Sequence, residues 1–182
     1  DAVVPIDTGT EMPDTDIPVG LSPIAIAFTP NGSLAYVTNG CGADPFCESA
    51  GTVSVINTTT HAVVDTIDVE EVPQGIAIAP DASRAFVTNS KCNELQCAAI
   101  GTVSVIELPA NNVLAGIDVG AVPLGIAIAS TSNGQRAYVA NAGDGTVSIL
   151  NTATNAATGT INVGAGPVDL AVASAGARVY VS

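Results

Sequence analysis

Basic residues, histidine and large aromatics are scarce in this chain. Only four Lys and Arg stand against 17 Asp and Glu, a formal net charge of −13 at pH 7 over 182 residues. Gripping phosphates needs clustered Lys and Arg, so nucleic acid is excluded as a partner. Attraction to an anionic membrane surface is excluded for the same reason. No run is long and apolar enough to span a bilayer as a helix, so membrane insertion is not expected. His61 is the only histidine. One imidazole cannot supply the several ligands of a copper or iron centre. It would have to serve any Ser-His-Asp site, and no strand-turn-helix Ser motif accompanies it. The sequence therefore predicts no catalytic residues, no metal site and no cofactor, with His61 an exposed turn residue. Trp is absent, with three Phe and three Tyr, so a core must come from small and branched residues. The lone Met is Met12, and a chain opening at Asp1 reads as a processed or excised polypeptide.

What is present is repetition. Pro23, Pro73, Pro123 and Pro167 each open an alternating apolar run: Ile24-Ala25-Ile26-Ala27, Ile76-Ala77-Ile78-Ala79, Ile126-Ala127-Ile128-Ala129 and Val168 to Val172. A turn follows, then Ala35-Tyr36-Val37-Thr38-Asn39, with copies at Ala85 to Asn89, Ala137 to Asn141 and Val179 to Ser182. Gly51-Thr52-Val53-Ser54-Val55-Ile56 recurs at Gly101 to Ile106 and Gly145 to Leu150. A fourth run closes each unit, at Val63 to Val69, Val113 to Val119 and Ala156 to Val163. Thr52, Thr102 and Thr146 precede Pro73, Pro123 and Pro167 by one constant interval. The apolar period is two, which excludes a helical repeat. Val, Ile and Thr suit a pleated surface. Four short runs per unit, separated by turn residues, predict a four-stranded antiparallel meander, the size of one β-propeller blade. One such sheet cannot bury both faces, so the units must stack face to face. The small Ala residues of the first run fit the crowded central axis.

Tyr36-Val37-Thr38-Asn39 and Phe86-Val87-Thr88-Asn89, each followed later by Thr-Val-Ser-Val-Ile, resemble the YVTN-type β-propeller repeat. The resemblance covers essentially the whole chain. It implies a secreted or cell-surface protein of the kind found among archaeal surface layers and bacterial exported proteins. The motif is architectural and brings no catalytic residues. Members usually have more blades than this chain can supply.

The phase of the repeat places Ala2 to Val19 in line with Thr52 to Val69. The chain thus opens with the outer two strands of a blade and closes with the inner two of another. The expected organisation is one all-β propeller domain: a half-blade at 1–19, blades at about 20–69, 70–119 and 120–163, and a half-blade at 164–182. Four blades result if the terminal half-blades complete one another within the chain. The alternatives are a segment of a longer propeller, and half-blades that pair between molecules into a fibre. Pro5 falls where Val55 lies and requires a bulge or an unpaired position; Pro13 and Pro18 lie on an outer edge that tolerates them.

Four cysteines form two close pairs, Cys41 with Cys47 and Cys92 with Cys97. Each pair lies in an insertion between the second and third runs, where the third blade has only Ala142-Gly143-Asp144-Gly145. Disulfides Cys41–Cys47 and Cys92–Cys97 would staple each loop locally, although four cysteines allow three connectivities. Disulfides imply an oxidising compartment. A zinc site is the rival, weakened by loose spacing; no Cys-x-x-Cys redox motif occurs. In a meander these loops emerge on the same face as the links between blades. Length variation on a rigid scaffold is where binding resides, so the candidate binding residues are Asp44, Phe46, Glu48, Glu94 and Leu95. The rival reading is a stapled loop that only shields an edge.

Other polar positions invite plainer readings. Asn39, Asn89 and Asn141 are expected to bond nearby turn backbone. Arg84, Arg136 and Arg178 share one repeat position and are expected to pair with an acid of a neighbouring blade. Asp14-Thr15-Asp16 and Gly143-Asp144-Gly145 lack calcium-loop spacing. The acidic surplus then reads as solubility. Asn31 and Asn57 head glycosylation sequons in turns. The functional expectation is a non-enzymatic extracellular scaffold or binding propeller whose partner is a surface protein, a glycan or a second copy of itself. A self-assembling fibre subunit is the first rival. A propeller hydrolase or lactonase is the second, disfavoured by the missing histidines.

Overall fold

The structure, a computed structural model, describes residues 1–44, 49–91, 100–173 and 178–182. Every regular element among them is a strand. The first four are two-residue strands: β1 (Ala2–Val3), β2 (Ile6–Asp7), β3 (Met12–Pro13) and β4 (Ile17–Pro18). Three blades follow. The first is β5 (Leu21–Phe28), β6 (Leu34–Gly42), β7 (Thr52–Asn57) and β8 (Ala62–Asp68). The second is β9 (Pro73–Ile78), β10 (Arg84–Asn89), β11 (Thr102–Glu107) and β12 (Asn112–Asp118). The third is β13 (Pro123–Thr131), β14 (Gly134–Asn141), β15 (Thr146–Asn151) and β16 (Ala156–Asn162). The chain ends on β17 (Leu170–Val172) and β18 (Val179–Val181).

Each complete blade is a sequential four-stranded antiparallel meander. The repeat recurs down to its irregularities. The ladder between third and fourth strands slips at Val55/Ile56, Val105/Ile106 and Ile149/Leu150. The turn joining those strands holds a left-handed residue at His61, Asn111 and Asn155, and at Glu11 in the opening half-blade. The residue before each blade-opening proline is also left-handed: Ser22, Val72, Val122 and Gly166. Only the glycine adopts that conformation without strain.

The core lies between blades. Tyr36, Val53, Val55, Ile67 and Val69 of the first blade pack on Ile76, Ala85, Val87, Ile106 and Leu108 of the second. Phe86, Val103, Val105, Ile117 and Val119 repeat the contact against Ile126, Ala137, Val139 and Leu150. Smaller clusters join the opening half-blade to the first blade through Ile17, Ala35, Val37 and Ile56, and the third blade to the last strands through Ala140, Val147 and Leu170. Near the axis the first strands approach closely. A Cβ at Gly75 would lie 2.6 Å from Leu124 O, and one at Gly125 2.8 Å from Val168 O. Small residues are required there, as the composition of the first run anticipates.

The chain ends differ from one expectation. Among the described residues β1 pairs with β4, β2 with β3 and β17 with β18, and no ladder joins β18 to β1 or β2. The two half-blades therefore do not complete one blade within this chain. Pro5 sits unpaired between β1 and β2, where its carbonyl accepts the Asp14 N–H at 2.8 Å.

Candidate interaction site

The recurring polar residues hold the scaffold together. Thr38 Oγ1 receives Ala25 N–H at 3.0 Å and donates to Gln74 O of the next blade at 2.7 Å. Thr88 does the same with Gly75 N–H at 2.8 Å and Leu124 O at 2.6 Å. The third blade carries Ala140 in that position. The amide that loses its hydroxyl partner, Gly125 N–H, bonds Val168 O directly at 2.9 Å. These threonines escaped the sequence reading; their recurrence immediately before the buried asparagine was the available signal.

Asn39, Asn89 and Asn141 are fully buried. They do not bond turn backbone as expected. Asn39 Nδ2 donates to Thr52 Oγ1 and Ser54 Oγ, both at 3.0 Å, and Asn89 and Asn141 repeat this with Thr102 and Ser104, and with Thr146 and Ser148. The asparagine stands directly opposite that threonine in the ladder, which brings its amide to the third strand. Arginine partners also differ from expectation. Arg84 Nη1 donates to Thr152 O and to Asn155 Oδ1 of the next blade, not to an acid. Arg136 reaches Thr158 Oγ1 at 3.4 Å. Carbonyls at a turn present acceptors that the long fork can reach.

His61 is a half-exposed turn residue, but it has a partner: Nδ1 lies 3.1 Å from Asp14 Oδ2 of the opening half-blade. The same latch joins the first two complete blades, where Asn111 Nδ2 donates to Asp65 Oδ2 at 2.8 Å and accepts Tyr36 O–H at 2.9 Å through Oδ1. Burial, reinforced by Asp65, raises the Tyr36 pKa above its usual value. Asp7 is held low by the Thr10 amide and hydroxyl, and Asp81 by the Ser83 hydroxyl and amide. Asp144 accepts Ala121 N–H at 2.7 Å and so fixes a link between blades. No group of three His, Cys, Asp or Glu side chains among the described residues could hold a metal ion.

Of the candidate binding residues, Phe46, Glu48, Glu94 and Leu95 lie outside the described residues, as do Cys47, Cys92 and Cys97. Asp44 is half-buried, accepts Ser49 Oγ–H at 3.0 Å and donates its N–H to Cys41 O at 2.8 Å. Cys41 is disulfide-bonded. The base of the second inserted loop is tied to the link before its blade. Ser90 N–H donates to Val72 O, Lys91 N–H to Glu71 O, and Lys91 Nζ lies 2.6 Å from Glu70 Oε2. Loops and links therefore share one face. On the opposite face Asn31 is exposed and Asn57 half-buried. The side-chain Oδ1 of Asn31 accepts Ser33 N–H and that of Asn57 accepts Thr59 N–H, each closing its turn.

The remaining feature is apolar and lies at the two ends. Ile26 is 45% exposed, whereas its repeats Ile76 and Ile126 are 9% and 8% exposed. Phe28 beside it is exposed, and both line an open groove of about 450 Å³ with Val3, Ile6, Ile17 and Ile56. At the far end Ile161 is 47% exposed against 6% for Ile67 and Ile117, and Tyr180 is 61% exposed against 0% for Tyr36 and Phe86.

These blades and their stacking define a β-propeller fold, and comparison with solved structures agrees. The chain is similar to hydrazine synthase of Kuenenia stuttgartiensis, at 22% identity and a TM-score of 0.73 over 88% of this chain and 41% of that one. It is similar to a functionally unknown protein of Desulfotomaculum acetoxidans, at 22% identity and 0.75 over 98% of this chain and 55% of that one. It is also similar to the WD40 repeats of RRP9, at 14% identity and 0.63 over 82% of this chain and 42% of that one. The chain spans about half the length of these structures. No family model and no curated protein matches it.

Proposed function

We propose that this chain is a non-enzymatic interaction module of the YVTN propeller type, working outside the cytoplasm at a cell surface. The face of inserted loops is its docking surface for a protein or glycan. The observation that carries this reading is the disulfide-bonded Cys41, placed where an inserted loop leaves the rigid second strand. A disulfide fits an oxidising compartment. Cys41–Cys47 and Cys92–Cys97 are the proposed pairs, with Asp44, Phe46, Glu48, Glu94 and Leu95 the proposed contact residues. Thr38, Thr88 and Arg84 are occupied in joining blades, and the recurring Asn residues in tying strands within a blade, which supports a scaffold rather than an active site.

Replacing the first insertion with the short Ala142-Gly143-Asp144-Gly145 connection tests the reading. Retention of the chain on an array of surface glycans and extracellular proteins is expected to fall with the replacement. Unchanged retention contradicts the docking face. Turnover of a lactone by the purified chain contradicts the non-enzymatic reading.

A further inference from the structure

A cavity opens between the second and third blades, away from both chain ends. Its residues come from the turns and strand ends on the face opposite the inserted loops. It encloses about 400 Å³, within the range of small-molecule sites. Ala79, Phe86 and Thr152 form its buried floor, Arg84 and Gln135 its half-buried walls, and Asp81 its exposed rim.

The repeat shows why it opens here. Between the first two blades, Leu34 and Tyr36 pack with Leu108 in the same place. Tyr36 O–H caps that contact by donating to Asn111 Oδ1 at 2.9 Å. One blade further on, Arg84 stands for Leu34, Phe86 for Tyr36, Thr152 for Leu108 and Ala153 for Pro109. A leucine side chain, a phenol hydroxyl and a proline ring are lost together, and a guanidinium enters.

That guanidinium is only partly used. Arg84 Nη1 donates to Thr152 O and, at 3.2 Å, to Asn155 Oδ1, both neutral acceptors. Among the described residues Nε and Nη2 have no partner, and the ion pairs are those of His61 and Lys91. Asp81 is also half-used. Its Oδ1 accepts the Ser83 N–H at 3.0 Å and the Ser83 O–H at 2.7 Å, while Oδ2 accepts no bond from the described residues. Ser83 does most to lower the Asp81 pKa and Arg84 adds a smaller pull, so the two charges sense each other without forming an ion pair.

We propose that this cavity binds a free α-amino acid with a small side chain. The ligand carboxylate accepts from Arg84 Nε and Nη2, the paired geometry that a guanidinium fork favours. Its ammonium group donates to Asp81 Oδ2. Charge selects a zwitterion over a simple anion. The chain carries a net charge of −13, which opposes the approach of an anion, and Asp81 shares the site with its only cation. A neutral sugar would leave the guanidinium without a counter-charge. A ligand with both charges satisfies both residues and has no net charge of its own.

The inference goes beyond the loop-face reading and stands without it, since loop replacement leaves the opposite face intact. Titration of the purified chain with L-alanine, followed by calorimetry or ligand-observed NMR, is expected to show saturable binding with a dissociation constant of about 1 mM. Propionate lacks the ammonium group and ethylamine lacks the carboxylate; each is expected to bind at least about tenfold more weakly. Arg84→Leu and Asp81→Asn copy Leu34 and Asn31 of the first blade, and each is expected to weaken L-alanine binding at least about tenfold. Asn31 Oδ1 holds Ser33 as Asp81 Oδ1 holds Ser83, so Asp81→Asn keeps the turn. Thr152→Leu copies Leu108 and is expected to fill the cavity and abolish binding. Three results would each overturn the inference: no saturable binding of L-alanine, propionate binding as tightly as L-alanine, or undiminished binding by Asp81→Asn.

Discussion

The same repeat position has two fates in this molecule. Ile76 and Ile126 are closed off by the blade before them, while Ile26 lines an open groove. Ile67 and Ile117 are closed off by the blade after them, while Ile161 is exposed. Residue type is constant across each set, so the difference belongs to the neighbouring blade. Each blade is a sheet with two apolar faces, and its stability is borrowed from both sides, as in other repeat stacks.

The largest test of that comparison is truncation inside an interface. Phe86→Ala removes a fully buried ring between the second and third blades and is expected to cost about 3–5 kcal/mol by denaturant unfolding. Ile117→Ala is expected to cost about 2–5 kcal/mol. The equivalent Ile161→Ala is expected to cost less than about 1 kcal/mol. Equal costs at Ile117 and Ile161 would break the comparison.

A smaller effect separates the interfaces by how their backbones meet. Thr88→Val leaves Gly75 N–H and Leu124 O without the bridging hydroxyl, for an expected loss of about 1–3 kcal/mol. Ala140→Thr adds a hydroxyl where Gly125 and Val168 already bond directly, and is expected to change stability by less than about 1 kcal/mol. A gain matching the Thr88 loss would show that the third interface lacks a bond that the other two possess.

The smallest effect is electrostatic. The raised Tyr36 pKa favours the neutral phenol in the folded state. Stability from this group is therefore complete below the unfolded-state pKa of 10.0 and is lost as pH rises through the higher folded value. Tyr36→Phe should remove that alkaline sensitivity, as read by thermal unfolding between neutral and strongly alkaline pH. The lowered Asp7 and Asp81 act with the opposite sign: they contribute above the unfolded-state value of 3.8 and lose their contribution as pH falls below it.

Much of the fold was legible because the repeat is written in residues that are structural in every copy. Alternating Val, Ile and Ala declare extended strands, and constant spacing declares identical blades. Glu11 is left-handed, as are His61, Asn111 and Asn155 in the turns of the complete blades. What the sequence hid was the choice of partner. Asn39 could satisfy its amide on a turn or on Thr52 and Ser54, and only the register decides. Arg84 could seek an acid or a carbonyl, and only the next blade's turn settles it. The candidate loop residues were recognisable by insertion and cysteine content, but their chemistry depends on a partner that composition does not specify.

Amide hydrogen exchange along the three blades tests the account most directly. Val87 and Ser104 of the second blade, which is packed on both faces, are expected to exchange more slowly than the equivalent Val37 and Ser54 of the first blade and Val139 and Ser148 of the third. Equal exchange at the three pairs would contradict the claim that each blade borrows its stability from both neighbours.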